Sequence, residues 1–398
     1  MKKNIKITPE GTRDLLFEEC TAQNEIKQRL MELFRKRGYH EVVTPTIEYL
    51  DVFTIEQASF PPEQLYKLSD KYGRLLSLRP DLTTPIARLV ATRLKNSVMP
   101  VRLCYTEKVF TVNVSQSGRN NEITQSGIEL LGAAGKRADL EVIATAVEAI
   151  KRCGAPDFKI EIGHAGFFNA LTDELHVDEE TCEDVRAFVE NKNYAALNAL
   201  LDTLPESEAV TVLRRLPRLF GGISVLETAI DLFGSIAPKS LRYLKELYSD
   251  LAALNMQDKI KVDLGLVHRN SYYTGVLFRG YIEGSGVTVL SGGRYDKLLD
   301  EFGLSLPAIG FAVVNDAMAN AMLQRGEVEQ ASPVDLLVFG QTGYEMKAVL
   351  YAGSLTEQGQ SCTVSTFDTL GQTMEYAKQQ GIKRIEAVSD EIKTLRVI

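Results

Sequence analysis

The residues from Val267 to Asp296 gather the side chains best suited to hold a ligand: the pair Tyr272-Tyr273, two glycine turns and the triplet Arg294-Tyr295-Asp296. Gly275 to Ile282 is β-rich, Glu283-Gly284-Ser285-Gly286 reverses the chain, and Val287 to Leu290 returns before Ser291-Gly292-Gly293 opens the next element. Such a hairpin collects polar groups at its ends as a pocket does, and tyrosines that only pack give the same pattern. Arg79-Pro80-Asp81-Leu82-Thr83-Thr84-Pro85 is a second candidate, a rigid polar loop after a strand, where ligand groups are well placed. Gln125 and Glu129 alternate with apolar residues along a third β-rich run. Plainer readings stand beside these: Asp81 as a helix cap, Gln125 and Glu129 as a solvated face, His268 as a structural histidine, Arg294 with Asp296 as an ion pair fixing a turn.

The elements that must carry these groups follow from periodicity. Ile26, Leu30, Leu33 and Phe34 recur at helical spacing between Glu19 and Arg37, with Gly38 at the C-terminal cap. Tyr39 to Thr46 reads as a short strand stopped by Pro45, and Arg74 to Leu78 as a second, followed after Pro85 by an amphipathic helix. Val101 to Phe110 and Glu122 to Leu131 form a long hairpin around the polar loop Thr111 to Asn121. Asp139 offers an N-cap to a helix striped by Leu140, Ile143, Val147 and Ile150, and Phe158 to Ile162 is another strand. From about His164 to Asp258 helical patterns replace strands, which marks a helical insertion. The β pattern resumes at Lys261, and Pro307 to Met322 reads as a closing apolar helix. After a polar link, strand and helix alternate from Val334 to Val388 as in a small α/β domain. The expected organisation is an α+β core over residues 1–325 and a C-terminal domain over 331–398.

At 398 residues, 44% hydrophobic and 25% charged, the chain has room for two or three domains of ordinary globular composition. The N-terminal lysines precede no apolar run, and no stretch approaches the roughly 20 apolar residues of a membrane span. A cytoplasmic protein without membrane contact is therefore expected. Cys20, Cys104, Cys153, Cys182 and Cys362 lack C-x-x-C spacing and the four histidines lack H-x-x-x-H spacing, so free thiols, no metal and no cofactor are expected. A net charge of −8 disfavours broad nucleic-acid binding.

GTRDLL (Gly11 to Leu16), LRPDLTTP (Leu78 to Pro85), QSGR (Gln116 to Arg119), QSGIELLG (Gln125 to Gly132), YYTG (Tyr272 to Gly275) and GGRYDKLL (Gly292 to Leu299) follow one another as comparable runs do in class II aminoacyl-tRNA synthetases. Over residues 5 to 322 the chain is specifically similar to the histidyl-tRNA synthetase family. The resemblance implies a class II synthetase-like, mostly antiparallel sheet of six strands flanked by helices, and a dimer interface near Pro45. It also implies site roles. Asp81, Thr83, Gln125 and Glu129 match positions that hold an α-amino group, supplying the charge-assisted acceptors an ammonium requires. Tyr272 and Tyr273 match a pair that reads imidazole, so a histidine-like ligand is expected.

The groups that would neutralise an ATP phosphate depart from the family. Where the synthetase carries F-R-x-E, this chain has Phe110-Thr111-Val112-Asn113. The closing run GFAVVNDAM, around Ala317, holds no basic residue, and R-G-L-D-Y-Y becomes His268-Arg269-Asn270-Ser271-Tyr272-Tyr273, with Arg269 one place off. Each preorganised donor lost typically costs on the order of 10² to 10³ in rate, so three lost cations would cost ~10⁶ if additive. The C-terminal residues 331–398, with six Lys/Arg against eight Asp/Glu, are less basic than a tRNA-binding module requires. A core that keeps its amino-acid groups and loses its ATP arginines resembles the non-catalytic branch of the family, the regulatory subunits of ATP phosphoribosyltransferase. That resemblance implies a short-form catalytic subunit as partner in a hetero-octamer, self-association as a dimer, feedback inhibition by histidine, and no tRNA. The alternatives are an active histidyl-tRNA synthetase in which Arg102, Arg119 or Arg269 stands in, and a binding module with an unrelated partner.

Overall fold

Ala22, Ile26, Leu30, Leu33 and Phe34 fall on one face of the first helix, α1 (Glu18–Lys36), and all are buried, so the helix lies against a core rather than alone in solvent. The computed structural model describes residues 6–56, 60–113, 120–268, 272–328 and 333–397. Two compact units divide the chain, Met1–Val328 and Glu329–Ile398. Among the described residues no helix is long and apolar enough to cross a membrane, and no group of three or more His, Cys, Asp or Glu could hold a metal ion.

In the first unit the chain runs through β1 (His40–Glu41), β2 (Ile47–Tyr49), β3 (Lys67–Ser69), β4 (Leu75–Leu78), α2 (Thr83–Arg93), the hairpin β5 (Val101–Phe110) and β6 (Glu122–Leu131), α3 (Lys136–Arg152) and β7 (Phe158–His164). Helices α4 (Ala165–Leu175), α5 (Glu179–Glu190), α6 (Tyr194–Leu201), α7 (Glu208–Arg215), α8 (Ile223–Phe233) and α9 (Pro238–Ala253) make the insertion, broken only by the two-residue β8 (Phe220–Gly221). The sheet then resumes with β9 (Ile260–Asp263), β10 (Val276–Ile282), β11 (Leu290–Arg294) and β12 (Ala308–Val314), and α10 (Asn315–Gln324) closes the unit. The main sheet has the order β1-β5-β6-β12-β11-β10-β7-β9-β8, and β2-β4-β3 form a small separate one. Six consecutive strands, from β5 to β7 in that order, pair antiparallel; β1 and β9 add parallel to its two sides. This is the mostly antiparallel, helix-flanked sheet expected of the synthetase-like fold. One apolar core, including Phe34, Ile128, Ile143, Ile160, Phe278 and Phe311, joins the sheet to α1, α3 and the insertion.

Five local readings change. Pro307 to Met322 is not one helix: β12 comes first, because Ala308-Ile309-Gly310-Phe311 is sandwiched between β6 and β11 with both faces covered, and only Asn315 onward is helical. Asp139 caps nothing; it sits inside the first turn of α3, whose cap is Gly135, and its buried carboxylate faces Arg294. Ser291-Gly292-Gly293 does not open a new element but forms the middle of β11. Pro85 does not precede α2 but lies in its first turn, where a missing N–H costs nothing. The strand expected over Tyr39 to Thr46 shrinks to His40–Glu41 at the sheet edge.

The second unit is a sheet of order β14-β13-β15-β16, formed by β13 (Leu336–Gly340), β14 (Cys362–Val364), β15 (Arg384–Val388) and β16 (Ile392–Arg396). The first three are parallel and β16 returns antiparallel, a strand beyond the alternation expected from sequence. Alternation along the strands serves two cores: Leu336, Val338 and Val388 pack on α11 (Glu345–Glu357), and Leu337, Phe339, Ile385 and Ala387 on α12 (Leu370–Gln379).

Candidate functional site

Register places the candidate side chains on one face of the main sheet. Glu129 on β6 pairs with Leu103 on one side and Gly310 on the other, and Gly127 with Tyr105 and Ala312; Ser291 on β11 in turn pairs with Ala312. Small residues at neighbouring positions leave a trough. Their smallness is obligatory: a Cβ at Gly127 would collide with Phe311 O and the Tyr105 hydroxyl, and one at Gly293 would meet Val276 O at 2.7 Å and the Tyr273 ring at 2.8 Å. Gly310 leaves the space that the Glu129 carboxylate occupies.

The trough is the floor of a cavity of about 260 Å³. Asp81, Thr83, Gln125, Glu129, Tyr272 and Tyr273, six residues drawn from separate stretches of the chain, all line it. The turn into α2 brings Asp81 and Thr83 over the sheet, because the helix starts at Thr83 directly after the Arg79 to Leu82 loop. Thr83 Oγ1 donates to Glu129 Oε1 at 3.0 Å, and Tyr295 donates its hydroxyl to Oε2 of the same carboxylate. Thr84 Oγ1 donates to Asp81 Oδ2 at 3.0 Å, whereas Asp81 Oδ1, sealed from solvent, has no protein partner. Tyr272 and Tyr273 stand with ring centroids 4.7 Å apart, and Tyr272 meets Tyr295 edge-on at 5.8 Å.

Burial dominates the electrostatics. It raises the Glu129 carboxyl to about 8, against the opposing pull of the Tyr295, Thr83 and Tyr105 hydroxyls and with the help of Asp81. Burial likewise raises Asp81 to about 7, the bonds from Thr84 acting against it. His268 shares the wall, its ring centroid 5.3 Å from that of Tyr273. Burial, then Arg279 and Arg186, push that imidazole down to about 3, so at neutral pH it is uncharged. Two enclosed acids and a neutral histidine make a cavity whose empty form carries protons and whose occupied form suits a cation.

Tyr295, from the Arg294-Tyr295-Asp296 triplet, also lines the cavity, as do Tyr105, Ser291, Gly310 and Phe60, none of which was singled out from sequence as a site residue. One signal existed for Tyr105: it faces Gly127 across the hairpin, and a Cβ there would collide with the tyrosine ring. Arg294 does pair with Asp296, Nη1 to Oδ1 at 2.9 Å, as one reading had it, but its main partner is Asp139. Arg102 does not reach the cavity lining; it forms a bidentate pair with Glu141 on α3, at 3.0 and 2.9 Å. Arg119, the rest of the Gln116 to Arg119 run, and Arg269, Asn270 and Ser271 lie outside the described residues. Beyond His268 and Tyr273 a larger groove of about 940 Å³ opens between the sheet and helices α4 and α5.

Residues 11–318 match the family model described as histidyl-tRNA synthetase. The chain is 41% identical to a protein named ATP phosphoribosyltransferase regulatory subunit from Clostridium kluyveri, over 95% of this chain and 98% of that one. It is 41% identical to one of the same name from Clostridium acetobutylicum, over 96% and 94%. A solved structure titled as an ATP phosphoribosyltransferase regulatory subunit/histidyl-tRNA synthetase from Bacillus halodurans superposes with a TM-score of 0.81 at 32% identity, covering 94% of this chain and 96% of that one. With a synthetase-like sheet, the motif residues on one cavity and similarity running nearly end to end, the chain belongs to the ATP phosphoribosyltransferase regulatory subunit family, a branch of the histidyl-tRNA synthetase-like proteins.

Proposed function

We propose that the chain is a non-catalytic regulatory subunit of ATP phosphoribosyltransferase, which activates a short catalytic subunit and helps transmit feedback inhibition by histidine in the first step of histidine biosynthesis. The observation that carries this is the joint state of the site: the amino-acid side is gathered in one cavity, while the position next to it is disarmed. Where an ATP-binding strand would present an arginine and an acid, Thr111 and Asn113 tie the loop base instead. Thr111 N donates to Asn121 O at 2.8 Å, and Asn113 Nδ2 to Asn120 O and Asn121 Oδ1, both at 2.9 Å. Adenylate formation is then negligible, and what is left is a binding site that can bias an assembly.

Histidine acts by differential affinity between two states of the complex, and the catalytic subunit's states must alter histidine affinity reciprocally. A coupling of 1–3 kcal/mol, roughly 5–150-fold, is the usual range for such a device. The assembly is a hetero-octamer in which this chain also self-associates as a dimer; tRNA takes no part. The test is to mix the purified chain with the short catalytic subunit and follow co-elution and phosphoribosyl-ATP formation, with and without histidine. Co-elution, activation and histidine sensitivity are expected. Neither co-elution nor activation would point to an unrelated partner. Histidine-dependent exchange of pyrophosphate into ATP by the chain alone would return it to the synthetases.

A further inference from the structure

The second unit carries an apolar face that its own core does not use. Along α11, Ala348, Ala352 and Leu355 turn onto the sheet and are buried there. On the opposite side Met346, Val349, Leu350 and Gly353 share one stripe, by the three- and four-residue spacing that brings helical side chains together. Met346 is 78% exposed, Val349 57% and Leu350 69%. Large apolar side chains scattered singly over a surface are ordinary, whereas three along one helical stripe mark a contact surface. Gly353 points the same way. Glycine weakens a helix interior relative to alanine, and among the described residues nothing lies within 4 Å of where its Cβ would stand, so packing within the unit does not call for it. What it leaves is a hollow on the stripe, open to a close approach from outside.

The shape of the stripe matches a second copy of itself. Leu350 stands one turn before the hollow at Gly353, so two α11 helices crossing antiparallel about a two-fold axis midway between these positions seat each Leu350 on the other's Gly353. In that register Lys347 of one copy lies opposite Thr356 of the other, one position from Glu357, and the two-fold repeats the pairing. No like charges are brought together at the centre, because Lys347 is the single charged residue between Glu345 and Glu357. Its Nζ donates to Ser389 O at 2.7 Å and Asp390 O at 3.0 Å, which holds the ammonium at the side of the stripe with a third proton to offer a carboxylate. A foreign partner would have to bring its own knob, hollow and acid, whereas a second copy has all three. We infer that the outer face of α11 is a contact between two copies of this chain, Leu350 of each filling the hollow at Gly353 of the other. One helix crossing buries less than the roughly 1,200 Å² of a stable interface, so it adds to the self-association already proposed and does not replace it.

The full chain is prepared with the photoreactive residue p-benzoyl-L-phenylalanine in place of Met346, as an equal mixture of isotope-labelled and unlabelled copies, then irradiated, digested and mapped by mass spectrometry. Peptides of mixed isotope that join position 346 to the last turn of α11 around Glu357 are expected. Gly353→Leu fills the hollow on an exposed face and suits a helix better than glycine, so it should cut the yield of that cross-link tenfold or more while the circular dichroism stays as it was; an unchanged yield overturns the inference. Should that variant lose its fold, Leu350→Ser is expected to show the same loss of yield. Cross-links confined to a single chain, cross-links to another surface of a second copy, or none at all in a chain that sediments as a dimer overturn the inference and leave the proposed self-association standing. A chain that sediments as a monomer and gives no cross-link overturns both.

Discussion

Arg294 on β11 and Asp139 on α3, 155 positions apart, meet in a buried ion pair, Nε to Oδ1 at 2.8 Å, with both side chains almost closed to solvent. The Tyr243 hydroxyl of α9 donates to the same carboxylate, and Asp296 braces the arginine from the other side. Sheet, α3 and helical insertion are thus fastened at one point. Removing one partner strands the other charge in the interior. Arg294→Ala should therefore cost roughly 3–5 kcal/mol in urea unfolding, and the double replacement Arg294→Leu with Asp139→Leu should recover much of that loss.

Gly310→Ala sets a methyl on the Glu129 carboxylate and against Ile128 O, so overpacking of about 1–3 kcal/mol is expected together with loss of histidine binding in calorimetry. Gly284→Ala is the control. It has φ +79° and open space around it, so its cost is backbone strain of about 1–2 kcal/mol, with binding unchanged.

The two enclosed acids make stability fall as pH rises. Their folded values, about 7 for Asp81 and about 8 for Glu129, lie above their ordinary values of 3.8 and 4.5, so between roughly pH 4 and 8 the folded state holds more protons than the unfolded one. Their favourable contribution is complete below pH 4 and is lost as pH rises through 7 and 8. His268 runs the other way, losing stability as pH falls from 6.5 toward 3. Unfolding in urea at pH 6 and pH 8.5 should show the loss, on the order of 1.4 kcal/mol for every tenfold change in a carboxyl's proton affinity on folding, and Glu129→Gln should flatten it. A bound ammonium favours the ionised acids, so ligand binding at pH 7 should release protons, visible as different heats in phosphate and Tris.

Asp81→Asn keeps the Thr84 hydrogen bond and removes a charge that an ammonium needs. Histidine affinity should drop by about 30-fold or more, the scale of losing one partner of an enclosed charged pair. The inhibition curve of the mixed complex should shift by the same factor while activation without histidine persists.

The six residues that meet in the cavity were legible because each sat in a run whose motif could be recognised locally, and the long strands β5 and β6 were legible from alternation with the same bounds the structure has. What escaped was set by distant partners. Asp139 looks like a cap until Arg294 is seen across 155 positions. The run Ala308–Val314, apolar throughout, carries no periodicity to tell a strand buried on both faces from a helix, and only its pairing with β6 and β11 decides. Tyr295 stands in plain view within GGRYD, yet its hydroxyl bond to Glu129 depends on the cavity having closed.

The seating of β12 between β6 and β11 has a consequence for synthesis. Gly310, which lies beside Glu129 in the finished sheet, leaves the ribosome about 180 residues later, on the order of ten to forty seconds at ordinary elongation rates. Until then the hairpin β5–β6 carries an open edge and the cavity floor does not exist. A nascent chain halted anywhere before β12 therefore lacks the cavity, and its bare strand edge is the place where a chaperone has work to do.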